Sequence, residues 1–147
     1  MDVSQVNIRL LQPDDVPACV RLYVDAYQAP PYDGCFDEDL ARAILTEMRR
    51  RSPETCFVAE VSATVVGFIL CTTLAGVRAT IEEFAVDPAC QRRGIGRRLL
   101  DYVCSLFRQQ GYSSMELIVD RLAPVYRMYA RHGFTESDRY RLMSLEL

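Results

Sequence analysis

Between residues 81 and 100 the chain reads IEEFAVDPACQRRGIGRRLL, which predicts a buried strand, a tight turn and the start of a helix. Gly94 and Gly96 carry no Cβ, so the backbone of the turn can come close to a ligand. The turn is also surrounded by positive charge, from Arg92, Arg93, Arg97 and Arg98. Because the N–H groups and the dipole at a helix start attract anions, this stretch predicts a site for a phosphorylated ligand.

The composition is that of a globular chain, with 147 residues, 50% of them hydrophobic and 25% charged. We expect one domain over residues 1–147, long enough to bury a core. The net charge of −3 counts against a general nucleic-acid binder, because affinity for a polyphosphate needs many cations on one face. The arginines of the turn are therefore a local feature, and one small anionic ligand suits them better than a polymer.

Six cysteines are scattered along the chain without a CxxC pair, so no disulfide framework and no metal site are predicted. The first residues resemble neither a signal peptide nor a transit peptide, and no apolar run is long enough to span a membrane. We therefore expect reduced, packed thiols in a cytoplasmic protein without a membrane partner.

The remaining pattern predicts an α/β (α+β) chain in the order β-α-α-β-β-β-α-β-α-β. Helices are expected after Pro13, Asp37, Gly96 and Pro124. The predicted strands are 6–10, 57–61, 65–73, 80–86, 115–119 and, from the alternation of Met143, Leu145 and Leu147, the end of the chain. The sheet should be mixed and mostly antiparallel, flanked by about four helices.

Two motifs in this frame resemble those of the GNAT superfamily of N-acetyltransferases. Residues 91–96, QRRGIG, fit the form Q/R-x-x-G-x-G/A of its acetyl-CoA motif, after a strand and at the opening of a helix. Residues 129–134, YARHGF, fit the late Y-x-x-x-G-F element. The resemblance covers nearly the whole chain and implies the GNAT fold and an acetyl-CoA-dependent N-acetyltransferase.

The resemblance also implies which residues hold the cofactor. The strand before the turn splays from its neighbour, its last residues bond the pantetheine arm, and the turn holds the pyrophosphate largely through main-chain N–H groups. In this sequence the implied residues are Phe84, Ala85, Val86, Gln91, Arg92, Arg93, Gly94, Ile95, Gly96 and Arg97.

Acetyl transfer to an amine needs a base for the amine and an acid for the departing thiolate. Tyr129 matches the tyrosine that family members place near the thioester sulfur and is the candidate acid. Glu82 and Glu83 are candidates for the base; strand alternation should send them to opposite faces, so at most one points into the cleft. We favour Glu82 slightly, and Glu116 on the following strand is a fallback.

The acceptor pocket implied by the fold lies at the first two helices and the loop between them, which carries Tyr32 and Phe36 beside Asp33 and Asp37. Aromatic rings with carboxylates suit a cationic amine, although a helix cap and a covered proline turn explain these residues equally well. Tyr126 is a candidate pocket wall. A small-molecule amine and a peptide or protein amine both stay open, as does a homodimer.

One position departs from the pattern of many relatives, which have an asparagine seven residues before the tyrosine; here it is Leu122. Either that cofactor contact is absent or Asp120 replaces it. An alternative to an enzyme is a GNAT module that binds acyl-CoA as a sensor or docking subunit, which would need neither Tyr129 nor a carboxylate base.

Overall fold

The fold is a five-stranded sheet with two helices on each face, seen in a computed structural model that describes residues 2–34 and 36–147. The strands are β1 Asn7–Leu10, β2 Cys56–Val61, β3 Thr64–Leu74, β4 Arg78–Val86 and β5 Ser114–Leu117. They lie side by side in chain order, and all neighbours are antiparallel except β4 and β5, which are parallel. The helices are α1 Val16–Ala26, α2 Glu38–Arg51, α3 Ile95–Gln109 and α4 Val125–His132. The predicted fold class is confirmed.

Local chemistry sets the ends of these elements. The Asp37 carboxylate accepts a hydrogen bond from the Leu40 N–H at 2.8 Å, which caps the start of α2 as predicted. Ser62 and Ala63 both adopt positive φ between β2 and β3, which makes the tight hairpin turn that the two strands require. Gly133, with φ of 112°, ends α4 in the left-handed conformation that glycine adopts without steric cost.

The sheet separates two apolar cores. One is shared with α1 and α2 and includes Tyr23 and Phe68, while the other is shared with α3 and α4 and includes Leu99 and Phe107. Because neighbouring residues of a strand point to opposite faces, each inner strand supplies both cores. Burial on both faces fixes the register of the sheet.

A β-bulge in β4 changes which face its last residues reach. Leu70 lies opposite Glu83 and Cys71 lies opposite Ile81, so Glu82 is an extra residue in β4. Ile81 contributes to the core under α3, whereas Ala85 contributes to the core under α1 and α2. The bulge therefore places Glu83, like Ala85, on the α1 side instead of on the face of Ile81.

The predicted strand at the end of the chain is wrong: among the described residues, none after Leu117 lies in a strand. The side chain of Met143 is 90% exposed, and Leu145 and Leu147 are exposed as well. Alternating apolar residues become a strand only when a neighbouring backbone accepts their hydrogen bonds, and this segment has no such neighbour among the described residues.

Five of the six cysteines are free thiols, four of them buried: Cys19, Cys56, Cys71, Cys90 and Cys104. The sixth, Cys35, lies outside the described residues. None of the helices within residues 2–34 and 36–147 has the length and apolar character needed to cross a bilayer.

Candidate active site

The sheet opens between its two parallel strands. Pairing of β4 with β5 stops at Ile81 and Leu117, although β4 continues for five more residues to Val86. Phe84, Ala85 and Val86 therefore have β3 on one side and an open strand edge on the other. An open edge presents backbone N–H and C=O groups that can bond an extended ligand arm.

The arginine-rich turn lies at the end of this opening and leads into α3. Gly94 caps the helix with φ of 83°, and a Cβ built there would meet no heavy atom within 4 Å. The first helical bond of α3 runs from the Arg98 N–H to the Gly94 carbonyl, so the preceding N–H groups of the first turn point out of the helix. Outward N–H groups at the start of a helix can bind an anion.

Three further residues position the turn. The Gln91 side chain donates a hydrogen bond from Nε2 to the Val86 carbonyl at 3.1 Å, which ties the turn to the end of β4. A Cβ on Gly96 would lie 3.2 Å from both the Met128 sulfur and the Phe84 ring, so this glycine lets α3 approach α4 and β4. Ile95 is buried in the core, and only its backbone can serve the turn.

The arginine side chains of the turn are solvent-exposed, including Arg92, Arg93 and Arg97. Arg97 lies 3.8 Å from Asp101, one helical turn further along α3. Exposed guanidinium groups are free to move and can bind an anion, but without a bound anion each contributes little to the stability of the protein.

Glu83 is the carboxylate that reaches the interior of the site. It is only partly exposed, and burial raises its pKa to about 7. The nearby Tyr23 phenol lowers that pKa, whereas the neighbouring charge of Glu82 raises it. A carboxylate with a pKa near 7 can both accept and release a proton at neutral pH.

The two other candidate carboxylates lie at the surface. Glu82 is exposed and accepts a hydrogen bond from the Thr72 hydroxyl at 2.5 Å. Thr72 is two residues after Leu70 in β3, so the two side chains lie on the same face of the sheet. Leu70 lies opposite Glu83 on the α1 side, and Thr72 binds Glu82. Both glutamates therefore turn toward that side. The predicted alternation of the two glutamates is wrong because the bulge interrupts it.

The fallback carboxylate, Glu116, lies on the exposed surface of β5 and forms an ion pair with Arg78 at 3.1 Å.

Tyr129 reaches the opening from the other layer. Its buried ring contacts Phe84 with centroids 6.1 Å apart and Phe134 with centroids 5.6 Å apart. Burial raises the pKa of Tyr129, and the nearby acidic groups of Tyr27, Tyr32 and Glu83 raise it further. The phenol therefore carries its proton at neutral pH, next to residues that come from the α1 layer.

Aromatic rings from α1 and the following loop line the α1 side of the opening. Tyr27 is at their centre, with ring centroids 4.8 Å from Tyr23, 4.4 Å from Tyr32 and 4.8 Å from Phe36. The predicted Tyr32 and Phe36 are therefore brought together. The sequence does not predict Tyr23 and Tyr27 as site residues, because only the tertiary fold brings α1 beside Tyr129.

Tyr126 has its hydroxyl 2.9 Å from a Glu136 oxygen, and Glu136 also forms a bidentate pair with Arg121. The Asp120 carboxylate accepts the N–H of Leu122, whose side chain is exposed. The single histidine, His132, lies 2.7 Å from Asp101 and joins α4 to α3.

Comparison with known proteins gives the class to which this fold and site belong. The model of the acetyltransferase (GNAT) family matches residues 16–134. The chain therefore belongs to the GNAT family, and its activity is that of an acyltransferase. It is similar over 98% of its length to the glucosamine 6-phosphate N-acetyltransferase of Trypanosoma brucei brucei, with 26% identity and 99% of that protein covered.

Solved structures share the architecture. Ard1 from Thermoplasma volcanium superposes with a TM-score of 0.74 and 28% identity over 90% of this chain and 84% of its own. The PaiA N-acetyltransferase of Thermoplasma acidophilum, solved in complex with coenzyme A, superposes with a TM-score of 0.78 and 21% identity over 91% of this chain and 92% of its own.

Proposed function

We propose that this protein transfers an acetyl group from acetyl-CoA to a primary amine, with Glu83 as the base and Tyr129 as the acid. The observation that carries the proposal is the position of Glu83, a partly buried carboxylate with a pKa of about 7 beside the opening between β4 and β5. Its burial supports the choice of Glu83 over the exposed Glu82.

The residues of the opening fit acetyl-CoA. The outward N–H groups of the turn after Gly94 would hold the pyrophosphate, and the open edge of residues 84–86 would hold the pantetheine arm. When bound, acetyl-CoA supplies an acetyl group already activated as a thioester. Arg92, Arg93 and Arg97 would add electrostatic attraction from the rim.

Glu83 would remove the proton that prevents the amine from attacking. An ammonium group with a pKa of about 10.4 is protonated at neutral pH, and its lone pair becomes available only after that proton is lost. The ionised Glu83 carboxylate would accept it, either directly or through one water molecule. The bulge at Glu82 supports this role, because it turns the carboxylate toward the aromatic side of the opening.

Tyr129 would donate its proton toward the sulfur that leaves. Its raised pKa keeps the phenol protonated throughout the neutral range, so the donor is always present. The contact of its ring with Phe84 supports a place beside the residues that would hold the pantetheine arm. As the C–S bond breaks, the acetyl group forms an amide with the amine, the nitrogen gives its extra proton to the Tyr129 phenolate, and the thiol of coenzyme A is released.

The alternative of a non-catalytic acyl-CoA-binding module is less favoured. A module that only binds has no use for a carboxylate with a pKa near 7 beside a protonated, buried tyrosine. The relatives named as N-acetyltransferases favour the enzyme as well.

A panel of primary amines, with release of coenzyme A thiol as the readout, tests the proposal. We expect turnover with at least one amine and a fall of about a hundredfold in kcat for Glu83→Gln. Glu82→Gln is the matched control, since it removes an exposed carboxylate from the adjacent residue. Equal losses in the two variants would contradict Glu83 as the base, and a silent panel would contradict the enzyme.

A further inference from the structure

The acceptor side of the opening is lined by aromatic rings that meet edge to face. The ring of Tyr27 is inclined by 61° to Tyr32 and by 62° to Phe36, and Tyr23 meets Phe36 at 78°. Tyr27, Tyr32 and Phe36 are partly exposed, while Tyr23 is fully buried beneath them. We call these four residues the aromatic wall. Its exposed part offers ring faces to an apolar or cationic group.

The aromatic wall adjoins the proposed catalytic residues. Tyr23 lies close enough to Glu83 to lower its pKa, and Tyr27 and Tyr32 are the ionisable groups that act most strongly on Tyr129. An amine placed between Glu83 and Tyr129 therefore has its substituent against the rings. The wall contacts the part of the acceptor next to the reacting nitrogen.

The charge of this region is negative. The carboxylates of Glu82 and Glu83, which turn toward the same side of β4, supply that charge. The exposed arginines lie just before α3 or in its first turn, at the far end of the opening from the paired part of β4 and β5. A positive group is attracted to this surface, whereas a phosphate or carboxylate on the acceptor would lie beside like charges.

We propose, building on the proposed acetyl transfer, that the acceptor is a cationic primary amine with an apolar flank and no anionic substituent. The ammonium group lies against Glu83 before it loses its proton, and the apolar flank packs on Tyr27, Tyr32 and Phe36. This acceptor differs from glucosamine 6-phosphate, the phosphorylated amine for which the Trypanosoma relative is named.

Two pairs of amines that differ in an anionic group test this inference. Phenethylamine is phenylalanine without its carboxylate, and glucosamine is glucosamine 6-phosphate without its phosphate. We expect kcat/KM to be at least about tenfold higher for the uncharged-substituent member of each pair, because like charges brought together cost affinity. We also expect phenethylamine to exceed glucosamine, since only phenethylamine has an apolar flank.

Equal or higher kcat/KM for the anionic member of either pair would overturn the inference. So would turnover of other amines in the panel with none of phenethylamine. Both results leave the acetyl transfer itself intact. If no amine of the panel supports release of coenzyme A, that result counts against the proposed function. The two failures are therefore distinguishable.

Variants of Tyr32 test the aromatic wall directly. For Tyr32→Leu, we expect the KM for phenethylamine to rise about three- to tenfold, as loss of a cation–π contact predicts, while the KM for acetyl-CoA stays within about twofold. Tyr32→Phe keeps the ring and should retain the wild-type KM. Tyr140→Leu, at a tyrosine exposed near the end of the chain, is the control for loss of a phenol elsewhere. Unchanged KM in Tyr32→Leu would contradict the wall as the acceptor surface.

Discussion

The buried phenol of Tyr23 lies close enough to the carboxylate of Glu83 to lower its pKa, so a residue of the α1 core reaches the proposed base on β4. The phenol lowers the pKa of Glu83, against burial and the charge of Glu82, which both raise it. The resulting value of about 7 depends on these opposing effects, and removal of any of them should move it.

Tyr23→Phe should shift the pH dependence of kcat upward. The activity requires ionised Glu83 and should rise with pH through a midpoint near 7. Without the phenol, the effect that lowers the pKa of Glu83 is lost, so we expect the midpoint to move up by about one unit. Steady-state rates between pH 5.5 and 9 at saturating substrates measure it.

Tyr27→Phe is the control for this shift, because it changes a neighbouring phenol and leaves Tyr23 beside Glu83. The variant should keep the wild-type midpoint to within a few tenths of a unit. A Tyr23→Phe profile that overlays the wild-type profile would show that the Tyr23 phenol does not control the base.

Glu83 should also make the protein less stable at alkaline pH. Its pKa is raised in the folded state, so the folded protein holds a proton that the unfolded chain releases near pH 4.3. The associated stability is fully present below pH 4.3 and is lost as the pH rises through about 7. Glu83→Gln should therefore be more stable than the wild type by about 2–3 kcal/mol at pH 8 and about equal to it near pH 4.5.

Urea unfolding of both proteins at these two pH values measures the difference. Glu82→Gln serves for comparison, since it removes a carboxylate from the adjacent residue and leaves Glu83 in place. If Glu83→Gln is less stable than the wild type at pH 8, the prediction is contradicted. The ionised carboxylate must then be stabilised in the fold by interactions beyond that with Tyr23.

The turn at Gly94 offers a prediction with a closely matched control. An alanine there must adopt a left-handed conformation at a cost of about 1–2 kcal/mol, or change the turn and re-aim its N–H groups. Gly94→Ala should weaken coenzyme A binding by about tenfold, as expected from the loss of about one charge-assisted hydrogen bond.

Gly76 lies in the turn between β3 and β4 with φ of 68°, and a Cβ there would also meet no heavy atom within 4 Å. Gly76→Ala should lose similar stability in urea and keep its affinity for coenzyme A in calorimetry. If both variants lose the same affinity for coenzyme A, the loss follows from reduced stability, and the turn at Gly94 is not the cause.

Much of the fold was predictable because its signals are local. The strand, the glycine turn and the helix at residues 81–100 are encoded by adjacent residues, and so are the Asp37 cap and the Gly133 stop. The alternation of Met143, Leu145 and Leu147 is an equally clear local pattern, yet those residues are exposed and form no strand. A strand needs a partner, and a local pattern cannot supply one.

The details of the candidate site depend on pairing between distant residues. The bulge at Glu82 exists because Leu70 and Cys71 pair across it with Glu83 and Ile81, and this register is not visible in β4 alone. Simple alternation along β4 therefore predicted opposite faces for Glu82 and Glu83, although both side chains turn to the same side. Tyr27 was missed for the same reason, since only the tertiary fold brings α1 beside Tyr129.

Tyr129→Phe should separate chemistry from binding. The substitution removes the proposed proton donor and keeps the ring that packs on Phe84 and Phe134, so the fold should be retained. We expect kcat to fall about a hundredfold, the usual range for loss of a general acid, with the affinity for acetyl-CoA within about twofold of the wild type. Stopped assays of thiol release, together with calorimetric titration, give the two values.

Tyr102→Phe is the control, because this tyrosine lies on α3 against Phe57, away from the opening, and its loss should not change kcat. The pH profile adds a readout that packing alone would not move. Because the pKa of Tyr129 is raised, the wild-type rate should not decline below pH 10 through loss of its proton. If Tyr129→Phe keeps the wild-type kcat, the sulfur must obtain its proton from water or from the amine, and Tyr129 is only a wall of the site.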